Sequence, residues 1–357
     1  MDLQQVLNAC VREGASDIMI KSGCPPKLRK DSDVIALKGA DKVTDEILTQ
    51  WLQVMMPKHL RERLEKNGDV DFAYKDQGGQ RYRVSLFRQR QKFGIVMRVI
   101  SNYIKTMEEL QLPDILKKFA YLKRGLVLVT GATGSGKTTS LAAILQKINL
   151  ERATHIITIE DPIEYWFQDA MSIVNQREVG IDTQSFSRAL RGALRQNPDV
   201  ILVGELRDQE TTETALMAAE TGHLVFATLH TKDAVDSLTR LISYFEPYKA
   251  LTIRMTLSQV LNAVVSQRLV PRASGKGMVA AVEVLIANQF VKEVILKGDS
   301  FGPLYGAIKA GGDAYGMQSF DHALVTLFEK SMISKEIALE YASNRDDMHL
   351  QLSGIAN

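Results

Sequence analysis

The segment Gly131-Ala132-Thr133-Gly134-Ser135-Gly136-Lys137-Thr138 constrains this chain more than any other, because it matches GxxxxGK[ST] between a strand and a helix. An apolar run from Leu126 to Thr130 precedes it, and Leu141, Ile144, Leu145 and Ile148 follow at the spacing of one helix face. Strand, glycine-rich turn and helix in that order curl backbone amides and a positive helix end around an anion. Lys137 is therefore expected at the outer phosphates of a nucleotide, the Thr138 hydroxyl at Mg²⁺ and Thr139 at an inner phosphate. Thr133, Gly134, Ser135 and Gly136 complete the cradle.

A phosphate loop alone does not separate motors from kinases or GTPases. In an open α/β sheet, ligands sit beyond the carboxyl ends of the strands, so residues just after each apolar run are the next candidates. Glu160, Asp161 and Glu164 follow the run 156–159, Glu205 follows 200–203, and His230 with Thr231 follows 224–229. Asp199 precedes its strand and lies roughly 17 Å from position 204 at the usual strand rise, which makes it structural. Glu205 is the acid best placed to act on water or, through a water, on metal, because Gly204 stands where an aspartate often ligates Mg²⁺. Glu164 is read as a second functional acid. His223 precedes its strand, roughly 23 Å from His230 if extended, so the two cannot touch one phosphate. A nucleotide role is expected for His230, and for His223 either a nucleotide role or one in packing or at an interface.

Length argues for two domains, since 357 residues exceed what one core usually serves. Helix-like spacing of Leu3, Val6, Leu7 and Cys10, strand-like pieces at 15–20 and 34–37, and alternation at 70–74, 81–87 and 94–100 suggest a small α/β domain over 1–100. Residues 101–113 read as a linker, and 114–357 as an α/β domain whose part beyond 246 is mostly helical, with Leu257, Leu261, Val264, Val265 and Leu269 on one helix face. No apolar run approaches a membrane span, the first residues do not resemble a signal peptide, and Cys10 and Cys24 form no CxxC pair, so the cytoplasm is the expected compartment. A net charge of +2 and no aromatic-basic platform argue against nucleic acid as partner; Lys27, Arg29 and Lys30 read as a solvated turn.

Taken in order, GATGSGKTTS, ITIEDPIEY, LRQNPDVILVGELRD and TGHLVFATLHT resemble the Walker A, Asp, Walker B and His boxes of the type II/type IV secretion ATPases. The resemblance implies a RecA-like P-loop motor domain behind a smaller N-terminal PAS-like domain, assembled as a homo-hexamer that binds ATP and Mg²⁺. It gives Glu205 the place of the Walker B glutamate, Glu164 that of the Asp-box acid, and His223 and His230 those of the His-box pair. Arg81 and Arg83 in RYRVSLF fall where the family clamps nucleotide from the N-terminal domain, on one strand face opposite Tyr82 and Val84. Both cysteines lie upstream of the P-loop, so the tetracysteine zinc module of the extension branch is absent, which points to the branch that retracts type IV pili. The typical retraction ATPase carries AIRNLI where this chain has Phe290-Val291-Lys292-Glu293-Val294-Ile295, and the tail GMQSFDHALVTLFEKSMIS is closer to the accessory retraction ATPase. The implied partners are an inner-membrane pilus platform protein, at whose base the subunit would sit peripherally, and a paralogous retraction ATPase. The alternative is a regulatory ATP-binding subunit that modulates a partner motor.

Overall fold

Two hydrophobic patterns, one alternating and one of longer buried runs, produce two units in the computed structural model, which describes residues 1–30, 33–100 and 103–353. The first unit holds Met1–Tyr103 with Glu164–Trp166, and the second holds Ile104–Ile163 with Phe167–Asn357. Residues 101 and 102 of the expected linker lie outside the described residues.

In the first unit, α1 (Leu3–Arg12) starts at a capping box in which Asp2 accepts the Gln5 amide, and it buries Leu3, Val6, Leu7 and Cys10. β1 (Asp17–Lys21), β2 (Lys27–Lys30), β3 (Asp33–Ala36), β4 (Asp69–Lys75), β5 (Arg81–Gln89) and β6 (Lys92–Ile100) form an antiparallel sheet of order β3-β2-β1-β6-β5-β4. The basic segment expected as a turn is thus β2, because Leu28 turns inward at 1% exposure and anchors its neighbours in the ladder. α2 (Asp45–Met55), capped by Thr44, buries Leu48, Trp51, Leu52 and Met55 in the same core, and α3 (Arg61–Asn67) adds Leu64. Strand alternation along β5 sinks Tyr82, Val84 and Leu86 to 0% exposure and turns Arg81 and Arg83 to the other face.

The second unit opens with α4 (Ile115–Phe119) and β7 (Gly125–Thr130), followed by α5 (Lys137–Glu151), β8 (His155–Glu160), β9 (Ile173–Glu178), α6 (Phe186–Ala193), β10 (Val200–Val203), α7 (Gln209–Glu220), β11 (Leu224–Leu229), α8 (Ala234–Ser243) and α9 (Ala250–Val260). β12 (Leu261–Pro271) and β13 (Met278–Ile286) complete a seven-stranded sheet of order β13-β12-β7-β11-β10-β8-β9. Every neighbouring pair in it is parallel except β12 with β13. Buried on both faces, β7, β10 and β11 read as continuous apolar runs, as parallel strands should. α10 (Gln289–Lys297), α11 (Pro303–Ala310), α12 (Gly312–Tyr315), α13 (Phe320–Glu329), α14 (Lys335–Tyr341) and α15 (Arg345–Leu352) follow.

The helix expected through Leu257 to Leu269 stops at Val260; Leu261, Val264, Val265 and Leu269 lie in β12, paired with β7 from Leu126 to Thr130. Short apolar runs fit either period, and here a long-range partner with an open edge decided for strand. The region beyond 246 therefore contributes two strands to the sheet, between α9 and α10. Among the described residues, no helix is long and apolar enough to cross a membrane.

Candidate functional site

β7 delivers the phosphate loop to the carboxyl edge of the sheet, and α5 leaves it with Gly136 as its N-cap. Gly136 has φ +87°, and a Cβ there would stand 2.7 Å from Nε2 of Gln267; at Gly131, with φ +143°, a Cβ would lie 2.4 Å from the Gln267 carbonyl oxygen. Both glycines are therefore required by backbone conformation and by the close approach of β12. Gln267 is 3% exposed and accepts the Ser140 hydroxyl at 2.8 Å, so it braces the first turn of α5. Nothing local in the sequence marks Gln267, because its place depends on β12 pairing with β7.

Lys137 is 7% exposed, and its Nζ donates to the carbonyls of Gly131 at 2.8 Å and Ala132 at 3.0 Å. The ammonium is thus folded back over the loop it would serve. Among the described residues, Ser135 Oγ is buried without a hydrogen-bond partner, the kind of orphan that a polar ligand in the loop would satisfy. Beside Gly136, Thr139 and Ser140 lies a cavity of about 190 Å³ with Leu112, Leu269 and Val279 in its wall.

The other strand ends converge on the same place. His230, just past β11, has Nδ1 3.5 Å from Lys137 Nζ and Nε2 3.5 Å from Glu205 Oε1. The tautomer that suits both neighbours accepts from Lys137 at Nδ1 and turns its Nε2–H to the carboxylate. Glu205 Oε2 accepts Arg207 Nε at 2.7 Å, and Arg207 also pairs with Asp161 at 3.3 Å. These bonds to two carboxylates, Glu205 first, hold the Arg207 guanidinium above its ordinary pKa despite some burial. Gly204 is explained sterically, since a Cβ would meet the Ile159 carbonyl oxygen at 3.0 Å and Glu160 Cα at 3.3 Å. An aspartate there would have to push the backbone at the end of β8 aside. Glu160 turns inward, 5% exposed, accepting Thr158 Oγ1 at 2.5 Å and Gln176 Nε2 at 3.1 Å. Arg207 was not singled out from sequence, although it stands two residues past Glu205 in the same loop.

Asp199 is structural, its Oδ2 accepting the His155 amide at 2.8 Å. His223 lies at the opposite edge of the sheet from the loop: its carbonyl accepts the amide of Gly125, where β7 begins, and its Nδ1 lies 2.9 Å from the Ala218 carbonyl. A full strand separates it from Gly131, so the nucleotide role expected for His223 is not available at the phosphates of its own P-loop. Glu164 is exposed and falls in the first unit. Within that unit, the Arg81 guanidinium stacks 3.2 Å over the Trp166 ring and is pushed below its usual pKa by burial, and Arg83 approaches Asp71 at 3.9 Å.

A phosphate loop, a buried lysine, and a glutamate–histidine pair on neighbouring parallel strand ends define a P-loop ATPase. Residues 1–298 match the family model described as "Type II/IV secretion system protein", and this chain belongs to that family. It is 42% identical over 352 residues to the type IV pilus ATPase PilU of Pseudomonas aeruginosa, covering 99% of this chain and 91% of that one. It is equally 42% identical over 342 residues to that organism's type IV pilus retraction ATPase PilT, covering 96% and 98%. The crystal structure of the pilus retraction motor PilT with bound ADP superposes with TM-score 0.90 at 40% identity, covering 97% of this chain and 98% of that one. The ATPase DotB of Legionella pneumophila follows at TM-score 0.77 and 27% identity, with 94% of each chain covered.

Proposed function

We propose that this chain is an ATP-hydrolysing motor subunit that retracts type IV pili and so powers twitching motility. The observation that carries this is the unbroken line Lys137–His230–Glu205–Arg207–Asp161 at the sheet edge, in a chain 42% identical along nearly its whole length to a pilus retraction ATPase. On nucleotide binding, Lys137 exchanges the Gly131 and Ala132 carbonyls for the outer phosphates. Glu205 accepts a proton from the attacking water while Arg207 orients its carboxylate, and His230 registers the terminal phosphate. Bound Mg²⁺ would neutralise phosphate charge, held by the Thr138 hydroxyl and by Glu205 through water. Thr139 and the neighbouring apolar cavity receive the inner phosphate and base side, with Thr133, Gly134, Ser135 and Gly136 donating from the loop. Glu164 acts as a second acid, and Arg81 and Arg83 clamp the phosphates when residues 1–100 close on 114–357 through 101–113.

His223 then serves a neighbouring subunit in a homo-hexameric ring on the cytoplasmic face of an inner-membrane platform protein. A second reading, an accessory subunit acting with a paralogous ATPase, is favoured by the segment Phe290 to Ile295. It forms part of α10 with Phe290 48% exposed, in place of the motif of the typical retraction ATPase. The test is pilus retraction in a strain lacking this protein, complemented with or without the paralogous motor. Retraction restored in both backgrounds supports an independent motor, restoration only with the paralogue supports the accessory reading, and no pilus phenotype removes the assignment to pili.

A further inference from the structure

Under the P-loop, three adjacent strands carry buried polar residues at one level of the sheet. Thr130 on β7 pairs in register with Ser266 on β12, and Ser266 with Glu283 on β13. Their exposures are 0%, 0% and 5%. Thr130 Oγ1 donates to Ser266 Oγ at 2.9 Å, and the Ser237 hydroxyl of α8 lies 3.2 Å from Thr130 Oγ1 and 2.6 Å from Thr231 Oγ1. At the end of the row, Glu283 Oε1 accepts the Ala234 amide, the first of α8, at 2.8 Å. Asp233 caps the same helix through the Asp236 amide at 2.8 Å and accepts the Tyr305 hydroxyl of α11 at 3.3 Å.

A carboxylate buried on an edge strand costs stability that an apolar residue would not, so its benefit lies in what it holds. Here that is the N-terminus of the helix whose preceding turn carries His230, where negative charge and a charge-assisted bond both favour one geometry. We propose that Glu283 is a positioning residue of this ATPase, whose carboxylate anchors the first turn of α8 and thereby keeps His230 between Lys137 and Glu205. This rests on the reading of His230 as a residue that responds to nucleotide.

The groups that face Glu283 set its charge. Burial pushes its carboxyl up to about 7, with Asp233 at the α8 cap and Asp321 on α13 acting in the same direction, while the Ala234 amide and Arg268 on β12 oppose them. Tyr305 on α11 completes the surroundings, its hydroxyl held by Asp233. Acidification through neutrality therefore weakens the anchor.

The experiment measures steady-state ATPase of the purified full-length protein for E283A, E283Q, H230A and E283A/H230A between pH 6 and 8, with melting curves for each. E283A should lose about tenfold in kcat, equivalent to about 1.4 kcal/mol of barrier, with KM for ATP within about threefold. E283Q, which keeps an acceptor oxygen, should lose less and should lack the parent's acid limb near neutrality. In the H230A background, E283A should cost nothing further, because both act through one side chain. Parental kcat in E283A, an unchanged acid limb in E283Q, or losses that multiply in the double variant would each overturn the proposal. If H230A alone is fully active, the reading of His230 falls and takes this one with it; if H230A is impaired and the losses multiply, only the role of Glu283 falls. Should E283A fail to fold, the pH profile of E283Q decides.

Discussion

Replacing Glu205 with glutamine isolates the chemical step from nucleotide binding. The substitution keeps an oxygen that can accept Arg207 Nε, now 2.7 Å away, but removes the charge and the proton acceptor facing His230. The side chains of Glu205 and Arg207 are 19% and 54% exposed, so losing the ion pair should cost at most about 1 kcal/mol of stability. Loss of a general base is worth about 10²–10⁴ in rate. Glu205→Gln should therefore melt within a few degrees of the parent and bind ATP within about threefold, yet turn it over at least about a hundredfold more slowly. Binding of a fluorescent nucleotide and turnover at saturating Mg-ATP are measured on one preparation. Lost binding with an intact melting curve would make Glu205 chiefly a metal or structural residue, and parental turnover would remove it from catalysis.

Lys137→Ala should abolish turnover at saturating Mg-ATP, since it removes the charge that faces the outer phosphates; equal rates in variant and parent would displace the site. Replacing Arg81 and Arg83 together with alanine should cut turnover at least roughly tenfold, because charge-assisted contacts to phosphate are worth about 1.5–3 kcal/mol each, and a lysine pair should rescue only in part. If these arginines serve only Trp166 and Asp71, turnover and nucleotide-dependent hydrogen exchange over 103–113 stay as in the parent. Stability should respond to pH through Glu283. Its carboxyl is raised from 4.5 to about 7, so the folded state binds more protons than the unfolded one in between; the group's contribution is complete below 4.5 and is lost as pH rises through 7. The swing is about 3 kcal/mol, and the melting temperature of E283Q relative to the parent should climb from pH 5 to 8; a flat difference would count against a buried, titrating Glu283.

The phosphate loop and its strand-to-helix setting were legible in the sequence because everything they require is local. Glycines with positive φ, a short apolar run and a helix face lie within about twenty contiguous residues, and the backbone there has few alternatives. Strand ends were legible for the same reason: once the runs 156–159, 200–203 and 224–229 are strands of one parallel sheet, Glu205 and His230 must share an edge, and His223 must lie at the other. Tertiary structure alone decided the rest. Leu261 to Leu269 became β12 because the edge of β7, more than a hundred residues earlier, was open to it, a choice that no local period records. Gln267 reached the loop, and Glu283 reached α8, only through that pairing. Arg207 found Asp161 because β10 and β8 are neighbours in the sheet though far apart in the chain. Backbone preference acts over a few residues and is written there, whereas which buried polar group meets which is set by sheet order, and sheet order is a property of the whole packed core.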